Sequence, residues 1–136
     1  MQVRDGMSDV VLTVGPSHSL SAAARLMTDR NVGAAVVVDP DGPGFGIVTE
    51  RDILRSVAAN EDAAAEPVSA HLTEEIITAS PDWSLEQAAE AMLEGGFRHL
   101  LVVNGGELEG ILSMRDIVRC WSGAKVSPAS VQARST

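Results

Sequence analysis

The apolar positions of this chain fall into two kinds of pattern, and each kind occurs twice. Leu20, Ala23, Ala24 and Met27 stand at i, i+3, i+4 and i+7, and Leu85, Ala88, Ala89 and Met92 reproduce that spacing 65 positions later. A 3.6-residue period predicts an amphipathic helix with one stripe turned to a core. Ser19 and Ser84 stand just before the two stripes as N-cap residues, and Ser84 with Gln87 has the spacing of a capping box. Glycines near the expected helix ends, Gly33 and the Gly95-Gly96 pair, precede short runs rich in strand formers at 34–38 and 100–103. The turn-rich stretches "DPDGPGFG" and "NGGELEG" separate these runs from a second apolar run, which predicts a β-hairpin in each half.

A comparison at fixed offset extends the repeat through most of the chain. Val11-Leu12-Thr13 aligns with Ile76-Ile77-Thr78, and Pro16 with Pro81, at 65 positions. After the hairpins "GIVTERDILR" (46–55) aligns with "GILSMRDIVR" (110–119) at 64, a one-residue difference that falls in the turns. Each half reads strand, helix, strand, strand, helix, and the fold class is α+β. The expected division is 1–60 for the first repeat, 61–123 for the second and 124–136 for a polar, disordered tail, with "ANEDAAAEPV" (59–68) as an exposed linker. A repeat of about 60 residues buries proportionally little surface alone. The two are therefore expected to pack about a pseudo-twofold axis as one compact module, leaving two equivalent clefts.

Composition narrows the function. A chain of 136 residues with 45% hydrophobic content suits one such module. A net charge of −9 opposes polyanions, so nucleic acid is not an expected partner. No apolar run approaches the ~20 residues of a membrane span, and the first residues lack the order of a signal peptide. A soluble, cytoplasmic protein with no membrane partner is expected. Cys120, in an apolar helical stretch, reads as a small core hydrophobe, Trp83 and Trp121 read as packing residues, and Glu86, Glu90 and Glu94 as one solvated helix face. His18, His71 and His99 lack the paired spacing of a metal site, so no metal is expected. No nucleophile with its base, and no carboxylate pair, emerges from the spacing, so no catalysis is expected.

Within this acidic chain Arg51, Arg55, Arg115 and Arg119 concentrate positive potential in the two decapeptides. Each decapeptide also holds a hydroxyl and an aspartate three residues apart, Thr49 with Asp52 and Ser113 with Asp116. The simplest reading is a capping box at the start of the last helix of each repeat. The same geometry also suits a nucleotide. A helix N-terminus offers free N–H donors and the positive end of a dipole to phosphate, and an ionised aspartate can accept from both hydroxyls of a ribose. Arg51 and Arg115 stand where they can balance phosphate charge.

Two copies of glycine, two apolar residues, Thr or Ser, and Asp three further on, the lead-in over 12–20 and "FRHLLVVN" (97–104) make the chain resemble a tandem pair of CBS domains, a Bateman module, over 3–122. The resemblance implies βαββα repeats, a disc-like homodimer and regulatory binding of an adenosine ligand such as AMP, ADP, ATP or S-adenosylmethionine. It implies no required cofactor, and output through an unknown effector protein or a change of oligomer. On the family's pattern Asp52 and Asp116 fall on the ribose-binding position, and Thr49 and Ser113 on the neighbouring hydroxyl. Ile47 and Ile111 fall where members line the adenine pocket, Thr13 and Thr78 in an early strand that contributes to it, and Arg98 and His99 on a basic pair that reaches phosphate. The first repeat has Gly33-Ala34 in place of that pair, so the two clefts are expected to differ in phosphate affinity. The alternatives are a ligand-free dimerisation scaffold, in which Thr49 and Asp52 only cap a helix, and hydrolysis or transfer of a bound nucleotide.

Overall fold

The computed structural model of the chain describes residues 1–42, 45–73 and 76–123. The expected tail over 124–136 and part of the first hairpin turn lie outside the described residues. In order, the elements are α1 (Val3–Gly6), β1 (Thr13–Val14), α2 (Leu20–Arg30), β2 (Ala34–Val38), β3 (Phe45–Thr49) and α3 (Glu50–Ala58). A 3₁₀ turn (Val68–Ala70) leads to β4 (Thr78–Ala79), α4 (Leu85–Gly95), β5 (His99–Asn104), β6 (Glu107–Ser113) and α5 (Met114–Gly123). The strand, helix, strand, strand, helix order is therefore present in both repeats. Among the described residues no helix is long and apolar enough to cross a membrane.

The chain divides into two compact units, Val10–Ile76 and a second made of Met1–Asp9 with the chain from Ile77 onward. In the first, β1 pairs parallel to β2 through the α2 crossover, and β2 pairs antiparallel to β3. In the second, β4, β5 and β6 repeat this arrangement. The predicted stripes do the packing: Leu20, Ala23 and Met27 join Val14, Val37 and Val48 in one core, and Leu85, Ala88 and Met92 join Leu100, Val102 and Leu112 in the other.

The helix starts are the expected ones. Ser19 Oγ accepts from Ala22 N at 3.0 Å, and Ser84 and Gln87 exchange reciprocal bonds of 3.1 and 2.9 Å. The ends differ. Gly96 caps α4 in the left-handed region, but α2 ends on Asn31 at φ 55° and not on Gly33. Asparagine tolerates this region because its short polar side chain bonds locally. The second hairpin closes with Asn104 opposite Glu107, and Gly105 and Gly106 take positive φ in a two-residue turn.

Residues 59–68 depart from the exposed linker that their composition suggests. Val68 is fully buried, Ala63 packs against the core, and the carbonyls of Glu66 and Ala63 accept from Leu20 N and Ser21 N, each at 2.9 Å. The first amides of α2 lack acceptors within their own helix, and this segment supplies them. Trp121 also departs from expectation: it is 50% exposed on α5, whereas Trp83 packs against the core of its unit. Cys120 is half-buried against the same core, and Glu86, Glu90 and Glu94 are exposed as expected.

The offset of 65 also joins "VRDGMS" (3–8) to "VSAHLT" (68–73). Val3 and Val68 are both fully buried anchors. Ser8 N donates to Ile111 O and Thr73 N to Ile47 O, both at 2.9 Å, so the two segments hold equivalent positions. Their assignment is exchanged relative to sequence order. The segment before the first repeat completes the unit containing β4 to β6, and the segment before the second completes the unit containing β1 to β3.

Candidate functional site

In each unit the candidate residues gather on one sheet face and at the helix start that follows it. Thr13, Val36 and Ile47 form a cross-strand row, with Ala34 opposite Thr49 two positions along. Thr78, Leu101 and Ile111 form the corresponding row, with His99 opposite Ser113. Side chains two apart along a strand share a face, so these rows lie on the face opposite the one bearing Val14, Val37 and Val48, or Leu100, Val102 and Leu112. Ile47 is buried, Ile111 half-buried, and Thr13 and Thr78 exposed.

The strand then turns directly into the last helix of the unit, and the hydroxyl and the aspartate meet there. Asp52 and Asp116 are each 8% exposed, so both carboxylates are turned away from bulk water. Asp52 Oδ2 accepts from Thr49 N at 2.8 Å, from Thr49 Oγ1 at 3.0 Å and from Thr73 Oγ1 at 2.6 Å. Thr49 Oγ1 in turn faces Asp52 N at 3.4 Å, which completes a capping box. Asp116 Oδ2 accepts from Ser113 N at 2.8 Å, and Asp116 N donates to Ser113 Oγ at 3.0 Å. The capping reading of the motif is therefore realised at both positions.

The carboxylates differ at their second oxygen. Asp116 Oδ1 accepts from Arg119 Nη2 at 2.8 Å, whereas Asp52 Oδ1 takes part in none of the three bonds that converge on Oδ2. Asp52 is therefore fixed in orientation through Oδ2, on which three donors converge. Arg119 is largely exposed, so its contact with Asp116 exchanges readily with water or with an anion.

The basic pair sits at the second corner. His99 lies opposite Ser113, and the Arg98 carbonyl accepts from Met114 N at 2.8 Å, which places the Arg98 backbone against the start of α5. At the first corner the Gly33 carbonyl accepts from Glu50 N at 3.0 Å, and no cationic side chain occupies that position. Arg51, Arg98 and Arg115 are exposed. Thr73 was not among the residues that the decapeptides single out. The signal for it lay in the weaker six-residue match of 3–8 with 68–73, whose last position is a hydroxyl in both copies.

The pattern of the CBS domain matches residues 2–59 and 68–123, the same two repeats. The chain is 38% identical over 116 residues to the CBS domain-containing protein YhcV of Bacillus subtilis, covering 85% of this chain and 81% of that one. It spans 66% and 41% of the length of two archaeal relatives. Among solved structures, the CBS-domain protein ATU1752 of Agrobacterium tumefaciens superposes with a TM-score of 0.81 at 35% identity, covering 88% of this chain and 92% of that one. The CBS domain protein PAE2072 of Pyrobaculum aerophilum, solved in complex with AMP, gives 0.77 at 28% identity over 98% and 97% of the two chains. With two matched repeats, two βαββα units and a capped aspartate in each, the chain belongs to the CBS domain family.

Proposed function

We propose that the chain is a cytoplasmic regulatory module that takes an adenine nucleotide, or a related adenosyl ligand such as S-adenosylmethionine, at its Asp52 and Asp116 corners. The state of binding then passes to a partner protein or to the chain's own association. The observation that carries this reading is the Asp52 carboxylate: nearly buried, held through Oδ2 by three donors, and aimed from a helix N-terminus. A carboxylate fixed in this way loses little entropy when it accepts a ribose diol, and the positive end of the helix dipole suits phosphate. PAE2072, solved with AMP, supports the ligand class. Arg98 and His99 favour tighter phosphate binding at the Asp116 corner than at the Asp52 corner.

Homodimerisation has its own support. Leu54 and Val57 on α3, and Val118 and Trp121 on α5, are exposed apolar side chains at matching positions of the two repeats. Apolar pairs repeated in this way suit a helix-mediated contact with a second copy. They equally favour a second reading, a ligand-free dimerisation scaffold, in which the aspartates serve only as caps.

Calorimetric titration with AMP, ADP, ATP, S-adenosylmethionine and NAD, with product analysis after long incubation, separates the possibilities. Saturable binding of an adenosyl ligand without turnover supports the sensor. Dimerisation with no binding supports the scaffold, and turnover would require a catalytic reading.

A further inference from the structure

We propose that Glu61, Glu66 and His71 form a binding site for one divalent transition-metal ion of the zinc class. His71 Nε2 lies 2.9 Å from Glu66 Oε1 and 3.9 Å from Glu61 Oε1, and the three ligand atoms all lie within 4.8 Å of one another. Donors arranged tetrahedrally around an ion with bonds of about 2.0–2.2 Å stand about 3.3–3.6 Å apart. The separations of 2.9 and 3.9 Å from His71 Nε2 bracket that spacing, so side-chain rotation can bring the donors onto one ion.

The backbone beneath these side chains is held at each ligand. Glu61 N donates to Ser56 O at the end of α3, Glu66 N to Asp62 O, and His71 N to Val68 O beside the buried Val68 anchor. The Glu66 carbonyl is itself the acceptor for Leu20 N at the start of α2. Ligands spaced by five residues suit no regular helix face, which is why a search for paired helical spacing passes over them. The reversal of the chain after α3, with Asn60 at φ 61°, brings them together.

Charge and ligand type select the ion. Two carboxylates facing one imidazole carry more negative charge than a single protonated ring can offset, and a divalent cation balances both. The mixed nitrogen and oxygen set favours zinc-like ions over magnesium or calcium, and three protein ligands leave a fourth position to water. Without the ion, the Nε2–H of His71 donates to Glu66. The ion takes the Nε2 lone pair instead, and the proton moves to Nδ1 or to solvent. The site would clip residues 61–71 into a closed loop two residues before Thr73.

The test uses the tag-free full chain stripped with chelator, titrated calorimetrically with zinc chloride and in parallel with magnesium chloride. One zinc per chain, with Kd tighter than about 10 μM, and no magnesium binding at that concentration are expected. His71→Asn should weaken zinc binding at least about hundredfold and Glu61→Gln about tenfold, whereas His18→Gln and Cys120→Ser should leave it unchanged. Glu61 is the more exposed of the pair, with 37% of its side chain accessible against 15% for His71, so its variant reads out binding even if the histidine variant fails to fold. Absence of zinc binding, or an affinity unaltered by Glu61→Gln, overturns the proposal.

Discussion

Thr73 Oγ1 donates to Asp52 Oδ2 across 2.6 Å, joining a residue that follows the 3₁₀ turn to the first turn of α3. This bond carries long-range information that no local capping motif contains. It ties the segment leading into the second repeat to the carboxylate of the first. Thr73→Val removes the donor while keeping the shape. Hydrogen bonds to charged groups contribute about 1.5–3 kcal/mol, and two donors remain on Oδ2, so a loss of about 1–2 kcal/mol is expected. Urea unfolding measures it, and Thr73→Ser should recover most of the loss.

Asp52→Ala and Asp116→Ala should each weaken adenosyl-ligand binding at their own corner by about tenfold to hundredfold, the equivalent of about 1.5–3 kcal/mol of charged hydrogen bonding. Each also removes a cap, so thermal melts must accompany the titrations, with a stability cost of up to about 1 kcal/mol. Asp52→Asn separates the two effects, because the amide oxygen can still accept at the cap while the charge offered to the diol is lost. Unaltered affinity in both aspartate variants would remove the ribose assignment.

The helices and hairpins were legible because their determinants are local. A stripe at 3.6-residue spacing and a serine cap act within one turn, and Gly105-Gly106 determines its own turn. The capped aspartates were legible for the same reason, as a hydroxyl three residues before an acid. What escaped depends on distant partners. The composition of 59–68 gives no sign that its carbonyls accept from α2, and nothing within "VRDGMS" states which repeat it completes, since Val3 and Val68 are equivalent anchors. Trp121 stands one turn after the buried Ile117 yet is 50% exposed near the end of α5, which the helical spacing alone does not foretell.

The hydrogen bond from His71, and next the contact with Glu61, hold the Glu66 carboxyl below its ordinary value of 4.5. A group whose value falls on folding contributes stability that is fully present above the unfolded value and is lost as pH falls through the folded one. With chelator present, the melting temperature should therefore decline as pH drops below about 4.5, and part of that decline should vanish in Glu66→Gln. Melts between about pH 6 and about pH 3 check this, and identical slopes in the two proteins would contradict it.

Gly46 and Gly110 hold equivalent places, yet the same substitution should affect them unequally. A Cβ at Gly110 would stand 2.6 Å from the Ser8 carbonyl oxygen and 2.9 Å from Met7 Sδ, whereas at Gly46 it would meet the Leu72 methyls at 3.1 and 3.3 Å. A leucine side chain can turn away. The Ser8 carbonyl cannot, because it accepts from Ile111 N at 3.0 Å while Ser8 N donates to Ile111 O. Gly110→Ala must push the Met1–Asp9 segment off the strand, at an expected cost of about 1–3 kcal/mol, and Gly46→Ala should cost less than about 1 kcal/mol. Hydrogen exchange should locate the difference, with the Ser8 and Ile111 amides losing protection in Gly110→Ala while the Thr73 amide keeps its protection in Gly46→Ala. Equal losses in the two variants would mean that the N-terminal segment does not lie against β6, and the exchange of lead-in segments between the units would fall with it.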